Sequence, residues 1–142
     1  MTPWKIDWNE SLFLGIPEID RDHERFAVLL NDLNSAIVGR ADKAQVHYRL
    51  DLLYLDAQAH FEHEERLFAR YRYPEHNAHA ALHRKIEAAI LREFATFDAS
   101  NFDSEWLEAG LRIKELLVSH LLQEDMKYRE FMKSKMGIAA TS

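Results

Sequence analysis

The chain has 142 residues and no cysteine, which excludes disulfide bonds, iron–sulfur clusters, thiolate nucleophiles and zinc–thiolate sites. Hydrophobic residues make up 47% and charged residues 30%, as in a globular domain, and the formal net charge of −6 argues against nucleic-acid and membrane partners. No apolar run is long enough to span a bilayer, and the N-terminus lacks the apolar core of a signal peptide. We therefore expect a cytoplasmic protein, and we expect a monomer.

The N-terminal residues differ in character from the rest of the chain. They hold three of the chain's seven glycines and prolines, together with Trp4, Trp8, Leu12, Phe13 and Ile16. These side chains are too apolar to remain in water, and their spacing does not fit a helix. We predict an extended arm, at about residues 1–17, that packs on the remainder of the domain.

Long tracts without glycine or proline follow the arm. Their composition, rich in Ala, Leu, Glu, Arg and Lys, predicts helices rather than strands. Asp42 with Gln45 resembles a capping box, and Pro74 separates two of the tracts. The apolar spacing predicts four helices, at about Glu18–Val38, Asp42–Arg72, Glu75–Phe97 and Ser104–Lys135.

The connections between these helices are short, so neighbouring helices should be antiparallel. The predicted fold class is all-α, with an up-down-up-down four-helix bundle at about residues 18–135. With the arm and a short C-terminal tail, we expect residues 1–142 to form one domain.

Polar residues interrupt the apolar stripe of every predicted helix. Burying one unpaired polar group costs several kcal/mol, so a whole set of them needs a common explanation. In an up-down-up-down bundle they all fall at the same end. The residues concerned are His23, His60, Glu64, His79, His83, His120, and either Glu124 or Asp125.

Their spacing is typical of metal ligation. His60 and Glu64 are four residues apart, as are His79 and His83, and residues four apart lie on one helical face. Five imidazoles and two carboxylates are too many for one ion but suit two. If both carboxylates and a solvent-derived oxygen bridge the ions, the ion with two histidines keeps an open position for a small ligand such as dioxygen. The alternative is a buried polar network without metal.

Other metal and catalytic motifs are absent. Leu67 stands where the zincin motif requires a second histidine, and no histidine follows a glutamate by three residues, as in ferritin-like di-iron bundles. The sequence also has no glycine-rich phosphate loop and no nucleophile elbow.

At these residues the sequence resembles the hemerythrins, specifically the single-domain bacteriohemerythrins, from about Trp8 to Phe131. Hemerythrins are four-helix bundles that hold a non-haem di-iron centre and bind dioxygen reversibly. The matching segments are Gly15-Ile16 through Asp22-His23, His60-Phe61-Glu62-His63-Glu64-Glu65, Tyr73-Pro74 before His79-Ala80-Ala81-Leu82-His83, and His120 through Asp125 with Lys127-Tyr128.

The resemblance implies two iron ions, bridged by carboxylates and by an oxo or hydroxo group, with dioxygen as the ligand. It implies that His79, His83 and His120 hold a six-coordinate iron. It implies that His23 and His60 hold a five-coordinate iron that takes dioxygen. Glu64 and Asp125 would bridge the two irons. Spacing alone favours Glu124 as the second bridge, because Asp125 lies about 140° around an ideal helix from His120. The family pattern favours Asp125, which a local π-type widening would bring to the site.

The leading functional hypothesis is reversible dioxygen binding for storage, transport or scavenging, by a protein that is not an enzyme. The alternatives are an enzyme that turns over peroxide, nitric oxide or ferrous iron at the same centre, and an oxygen or redox sensor, for which this chain has no room for an output domain. We expect the other three histidines, His47, His63 and His76, to lie at the surface or behind the ligands. The apolar neighbours expected around the centre are Phe26, Phe61, Leu67, Ile86, Leu117 and Leu121.

Overall fold

The computed structural model describes residue 6 and residues 9–139, and all regular structure within them is helical. The predicted four-helix bundle is confirmed. Its first three helices are α1 (Pro17–Val38), α2 (Lys43–Tyr71) and α3 (His76–Asp98). The fourth is continuous but changes its hydrogen-bond register twice, from α4 (Asp103–His120) through a π-helical segment (Leu121–Asp125) to α5 (Met126–Lys135).

Local chemistry explains where α2 begins and ends. The side chain of Asp42 caps the helix by accepting a hydrogen bond of 2.9 Å from the backbone N–H of Gln45. At the other end Arg72 takes a left-handed conformation (φ 58°, ψ 47°), and its N–H bonds to the Phe68 carbonyl. Pro74 follows and prevents the helix from continuing, so the chain turns into α3.

Each helix of the bundle packs against two neighbours. α1 contacts α2 and α4, and α3 contacts the same two helices on the opposite side. With short connections, this order brings the start of α1, the end of α2, the start of α3 and the end of α4 together. That end of the bundle contains the polar residues that interrupt the apolar stripes, which we call the polar seam.

Two apolar clusters fill the interior, and the polar seam lies between them. The larger cluster includes Phe26 and Phe61, whereas the smaller one includes Ile19, Leu67 and Tyr128. His23 lies between Ile19 and Phe26 along α1, and Glu64 lies between Phe61 and Leu67 along α2. The seam residues therefore form a polar layer with apolar packing above and below. The six apolar residues expected around the centre are all buried.

The predicted arm is only partly described. Trp4 and Trp8 lie outside the described residues. The described part is not extended throughout, because Glu10–Leu12 form one 3₁₀ turn. Leu14 and Ile16 are fully buried in the smaller cluster, and the Leu14 carbonyl accepts a hydrogen bond from Arg129 Nε at 2.9 Å. This part of the arm packs on the bundle, as predicted.

None of the helices in the described part of the chain combines the length and the apolar character needed to cross a bilayer.

Candidate metal centre

The seven residues selected from the sequence converge as two groups of donor atoms. Within each group the atoms lie within 4.8 Å of one another, and every residue is buried. Glu64 and Asp125 belong to both groups. His79, His83 and His120 complete one group, which we call the three-histidine group. His23 and His60 complete the other, the two-histidine group. The two groups match the ligand sets expected for two ions that share two carboxylates.

The two oxygens of Asp125 face different groups. Its Oδ1 lies 2.9 Å from His79 Nε2 and 3.0 Å from His120 Nε2. Its Oδ2 lies 3.2 Å from His23 Nε2, in the other group. A carboxylate in this position can bridge two cations with one oxygen on each.

A π-helical segment brings Asp125 to the same side of the helix as His120. In a regular α-helix a step of five residues would turn it away by about 140°. The segment Leu121–Asp125 has a wider turn, so the fifth residue returns to the face of His120. Glu124 instead pairs with Lys127, with its carboxylate oxygens 3.0 and 3.1 Å from Lys127 Nζ. The structure thus directs Asp125, and not Glu124, toward the histidines.

The buried donor atoms fit a metal ion better than they fit one another. Glu64 Oε1 lies 3.2 Å from Nε2 of both His60 and His83, yet it accepts no well-formed hydrogen bond. His83 Nε2 and Asp125 Oδ1 are likewise buried without a hydrogen bond within the described part of the chain. Unsatisfied buried polar atoms are rare and costly. Atoms that point at a common centre would all be satisfied by cations there.

The electrostatics of the centre favour anionic carboxylates. Burial raises the pKa of Asp125, but the nearby imidazoles of His120, His23 and His79 outweigh burial and hold this pKa well below its usual range. Burial and the Asp125 charge raise the pKa of Glu64, and the neighbouring imidazoles more than reverse this shift. Burial lowers the pKa of His60, whereas the Glu64 charge and a hydrogen bond to Asp22 raise it to about 10. Cations and protons would therefore compete for the same imidazole nitrogens.

A family model, the hemerythrin HHE cation binding domain, matches residues 14–131, which include all seven converging residues. The chain belongs to the hemerythrin family. It is 27% identical over 128 residues to a hemerythrin-like protein of Naegleria gruberi and to one of Naegleria fowleri, matches that cover 89% of this chain and 93% of each relative. It is also 27% identical over 130 residues to a bacteriohemerythrin of Stenotrophomonas maltophilia (strain R551-3), covering 92% of this chain and 83% of that one. The buried histidine–carboxylate cluster fits the metal centre of a hemerythrin.

Two further carboxylates accept hydrogen bonds from histidines of this hemerythrin domain, at the ring nitrogens that face away from the donor groups. His60 Nδ1 donates to Asp22 Oδ2 at 2.8 Å, and His83 Nδ1 donates to Glu65 Oε2 at 2.9 Å. Arg84 Nη2 donates to the same Glu65 oxygen at 2.7 Å. A carboxylate behind an imidazole fixes the ring orientation and leaves Nε2 as the ligand atom.

The sequence analysis did not identify these two partners. A signal existed, since Asp22 and Glu65 each stand directly beside a selected residue in the sequence. Each, however, serves a histidine on a different helix, which local spacing does not show.

Asp22 is the centre of a larger network. His63 Nδ1 donates to Asp22 Oδ2 at 2.6 Å, and Arg25 Nη2 donates to Asp22 Oδ1 at 3.2 Å. Burial raises the pKa of Asp22, but the hydrogen bonds from His60 and His63 outweigh burial and lower it to about 2. The sequence predicted His63 either at the surface or behind a ligand. It lies behind His60, since both rings contact Asp22. The other two histidines, His47 and His76, belong to no group of donor atoms among the residues that the structure describes.

Tyr128 is a further polar residue of this hemerythrin interior. It is fully buried, and its hydroxyl donates a hydrogen bond to Glu64 Oε2. Burial and the charge of Glu64 raise the pKa of Tyr128 well above its usual range, so the hydroxyl remains a donor. Tyr128 follows Asp125 by three residues on the same helical face and belongs to a segment that carries the family resemblance, but neither pattern identifies Glu64 as its partner.

A cavity of about 30 Å³ borders the two-histidine group. His23 and His60 lie at its polar end with His120 and Asp125, and the other walls are apolar. Water occupies a cavity stably only with two to four polar partners. The side chains of the other walls offer none, so that part of the space favours a small neutral guest. Four of the six expected apolar neighbours line it: Phe26, Phe61, Leu117 and Leu121. Leu67 and Ile86 do not; Leu67 packs in the smaller apolar cluster.

Proposed function

We propose that this protein binds dioxygen reversibly at a non-haem di-iron centre, for storage, transport or scavenging. The proposed ligands of one iron are His79, His83 and His120, those of the other are His23 and His60, and the bridges are Glu64 and Asp125. The observation that carries the proposal is the small apolar cavity beside the group with only two histidines. That group has fewer protein ligands, so an ion held there would leave room for a small guest in the cavity.

The iron pair, when bound, supplies the redox electrons and the Lewis acidity on which reversible dioxygen binding depends. The chain supplies the position of the ligands and the environment around them. Asp22 and Glu65 hold one histidine in each group, and Tyr128 holds Glu64. Ligands held in this way need little rearrangement when a guest binds or leaves.

The cavity walls support binding rather than turnover. Phe26, Leu30 and Leu117 have no group that could donate a proton, and the cavity is too small for a substrate much larger than a diatomic molecule. Exclusion of water and protons would slow irreversible oxidation of the centre. Within the described residues the cavity has no acid or base other than the proposed ligands.

The direct test is iron content together with an optical spectrum. Protein reduced under anaerobic conditions and then exposed to dioxygen should contain about two irons per chain and develop visible absorption bands that disappear when dioxygen is removed. The H83A variant should lose this behaviour, because it lacks one proposed ligand. The H47A variant should keep it, since His47 pairs with Asp51 outside both donor groups. Irreversible oxidation would contradict reversible binding, and an iron-free wild-type chain would contradict the di-iron centre.

A further inference from the structure

A third group of donor atoms lies between the di-iron ligands and the surface. Asp22, His60 and His63 place ligand atoms within 4.8 Å of one another. His63 also faces the first turn of α1, where its Nε2 lies 3.7 Å from Glu18 Oε1. Neither His63 nor Glu18 is among the proposed iron ligands.

The exposure of these side chains falls steadily from the surface inward. Glu18 is 37% exposed, His63 26%, Asp22 12% and His60 1%. By contrast, every proposed ligand of the centre is at least 94% buried. The series therefore provides metal-ligating atoms at each depth between solvent and the two-histidine group.

The charges around this series favour a cation. Glu18, Asp22 and Asp56 contribute three negative charges, and Arg25 contributes one positive charge. Arg25 is held mainly by Asp56, with Nε 2.5 Å from Asp56 Oδ1, and contacts only Oδ1 of Asp22. Asp22 Oδ2 faces the two imidazoles. Mixed carboxylate and imidazole donors suit divalent first-row metals, including ferrous iron.

The three-histidine group has no equivalent of this series. Behind His83, Glu65 accepts hydrogen bonds from the His83 ring and from Arg84. An arginine thus occupies the outer position that His63 occupies on the other side, and it repels a cation. No donor group within the described residues contains Glu65.

We propose that Asp22, His63 and Glu18 form an outer divalent-cation site that captures ferrous iron at the surface and passes it to the buried centre beside His60. The proposal rests on the proposed function only for the destination of the iron. Capture by exposed donors shortens the search for a buried site, and Asp22 links the outer site to the centre because it contacts both His63 and His60.

An equilibrium experiment tests the outer site itself. Anaerobic protein already loaded with iron is titrated with Zn²⁺ in a calorimeter, and its iron content is measured afterwards to exclude exchange. Wild-type protein should bind one further Zn²⁺ per chain. H63A and E18Q should bind it at least about tenfold more weakly. H47A is the matched control, because His47 also lies between two carboxylates, 3.2 Å from Asp51 and 3.5 Å from Asp98.

A kinetic experiment tests the role in loading. Metal-free chains are mixed with ferrous iron without oxygen, and iron uptake is followed with time. H63A should load about tenfold more slowly than H47A, because it lacks the partly exposed imidazole that the proposal places between solvent and the buried centre. E18Q should also load more slowly, and its exposed position removes the concern that the variant fails to fold.

Two results would overturn the proposal: no Zn²⁺ bound beyond the irons in wild-type protein, or equal loading rates for H63A and H47A. Both of these results differ from the result expected if the proposed function itself fails. If the chain takes up no iron pair, the di-iron proposal fails. A single Zn²⁺ bound by the metal-free wild-type chain and lost in both H63A and E18Q would then still support the outer site.

Discussion

Tyr128 on α5 donates its buried hydroxyl to Oε2 of Glu64 on α2. The other oxygen of the same carboxylate faces His60 and His83, one histidine from each donor group. One oxygen of Glu64 is therefore held by a neutral donor, and the other is directed to the space between the two groups. This contact sets the orientation of a proposed bridge without adding a charge to the interior.

The Y128F variant should be less stable than wild-type protein. It leaves Glu64 Oε2 buried without its donor, and a hydrogen bond to a charged group contributes about 1.5–3 kcal/mol. Urea unfolding of the metal-free chain measures this loss, and the visible bands of the iron-loaded variant should shift. Y48F is the control, since Tyr48 is 59% exposed and its change should stay within about 0.5 kcal/mol. Equal stability of the two variants would show that the Tyr128 contact contributes nothing.

D125N and E124Q should differ sharply in iron retention. Asp125 reaches three histidines of the centre, whereas Glu124 pairs with Lys127 at the surface. After dialysis against a chelator, D125N should retain less iron than wild-type protein, with an affinity at least about tenfold lower. E124Q should retain the wild-type content. The opposite pattern would mean that the π-helical segment does not place Asp125 at the metal.

A27L should block dioxygen without removing iron. Ala27 lines the cavity, so three added carbon atoms fill the space beside His23. A57L is the matched control, because Ala57 is equally buried but does not line the cavity. Both changes should cost about 1–3 kcal/mol through overpacking. Only A27L should lose the visible bands that dioxygen induces, and equal dioxygen binding by both variants would exclude the cavity as the gas site.

The metal-free protein should lose stability as the pH rises from 6.5 toward 10. Folding raises the pKa of His60 from 6.5 to about 10, so its stabilising charge is fully present below pH 6.5 and is lost as the pH approaches the folded value. The free energy of unfolding should fall by up to about 1.4 kcal/mol per pH unit. Urea unfolding of metal-free wild-type and metal-free H60Q measures the effect. A slope that is the same in H60Q would assign the loss to another group.

The helices and the set of buried polar residues could be predicted from the sequence because both are local properties. Apolar residues at steps of three and four specify one face of each helix, and polar residues in that stripe are conspicuous. Pairs such as His60 with Glu64 are one turn apart, so their convergence follows from helix geometry alone. Short connections then place all of them at one end of the bundle.

The choice between Glu124 and Asp125 could not be made from spacing. Ideal helix geometry favours Glu124, and the observed π-helical segment reverses that preference. A π-helical turn is unfavourable by itself, and the packing around His120 and Asp125 has to stabilise it. The local sequence therefore permits the segment, but contacts with other helices determine whether it forms.

The helices, their inward faces and the residues available as ligands follow from the amino-acid sequence alone, because they depend on neighbours within about one turn. The carboxylate that holds each histidine, the position of the cavity and the contact of His63 with Asp22 depend instead on how the helices pack. His60 and Asp22 are 38 residues apart, and Tyr128 and Glu64 are 64 apart. Periodicity specifies which face a residue occupies, whereas its partner on another helix depends on the axial register and rotation of packed helices.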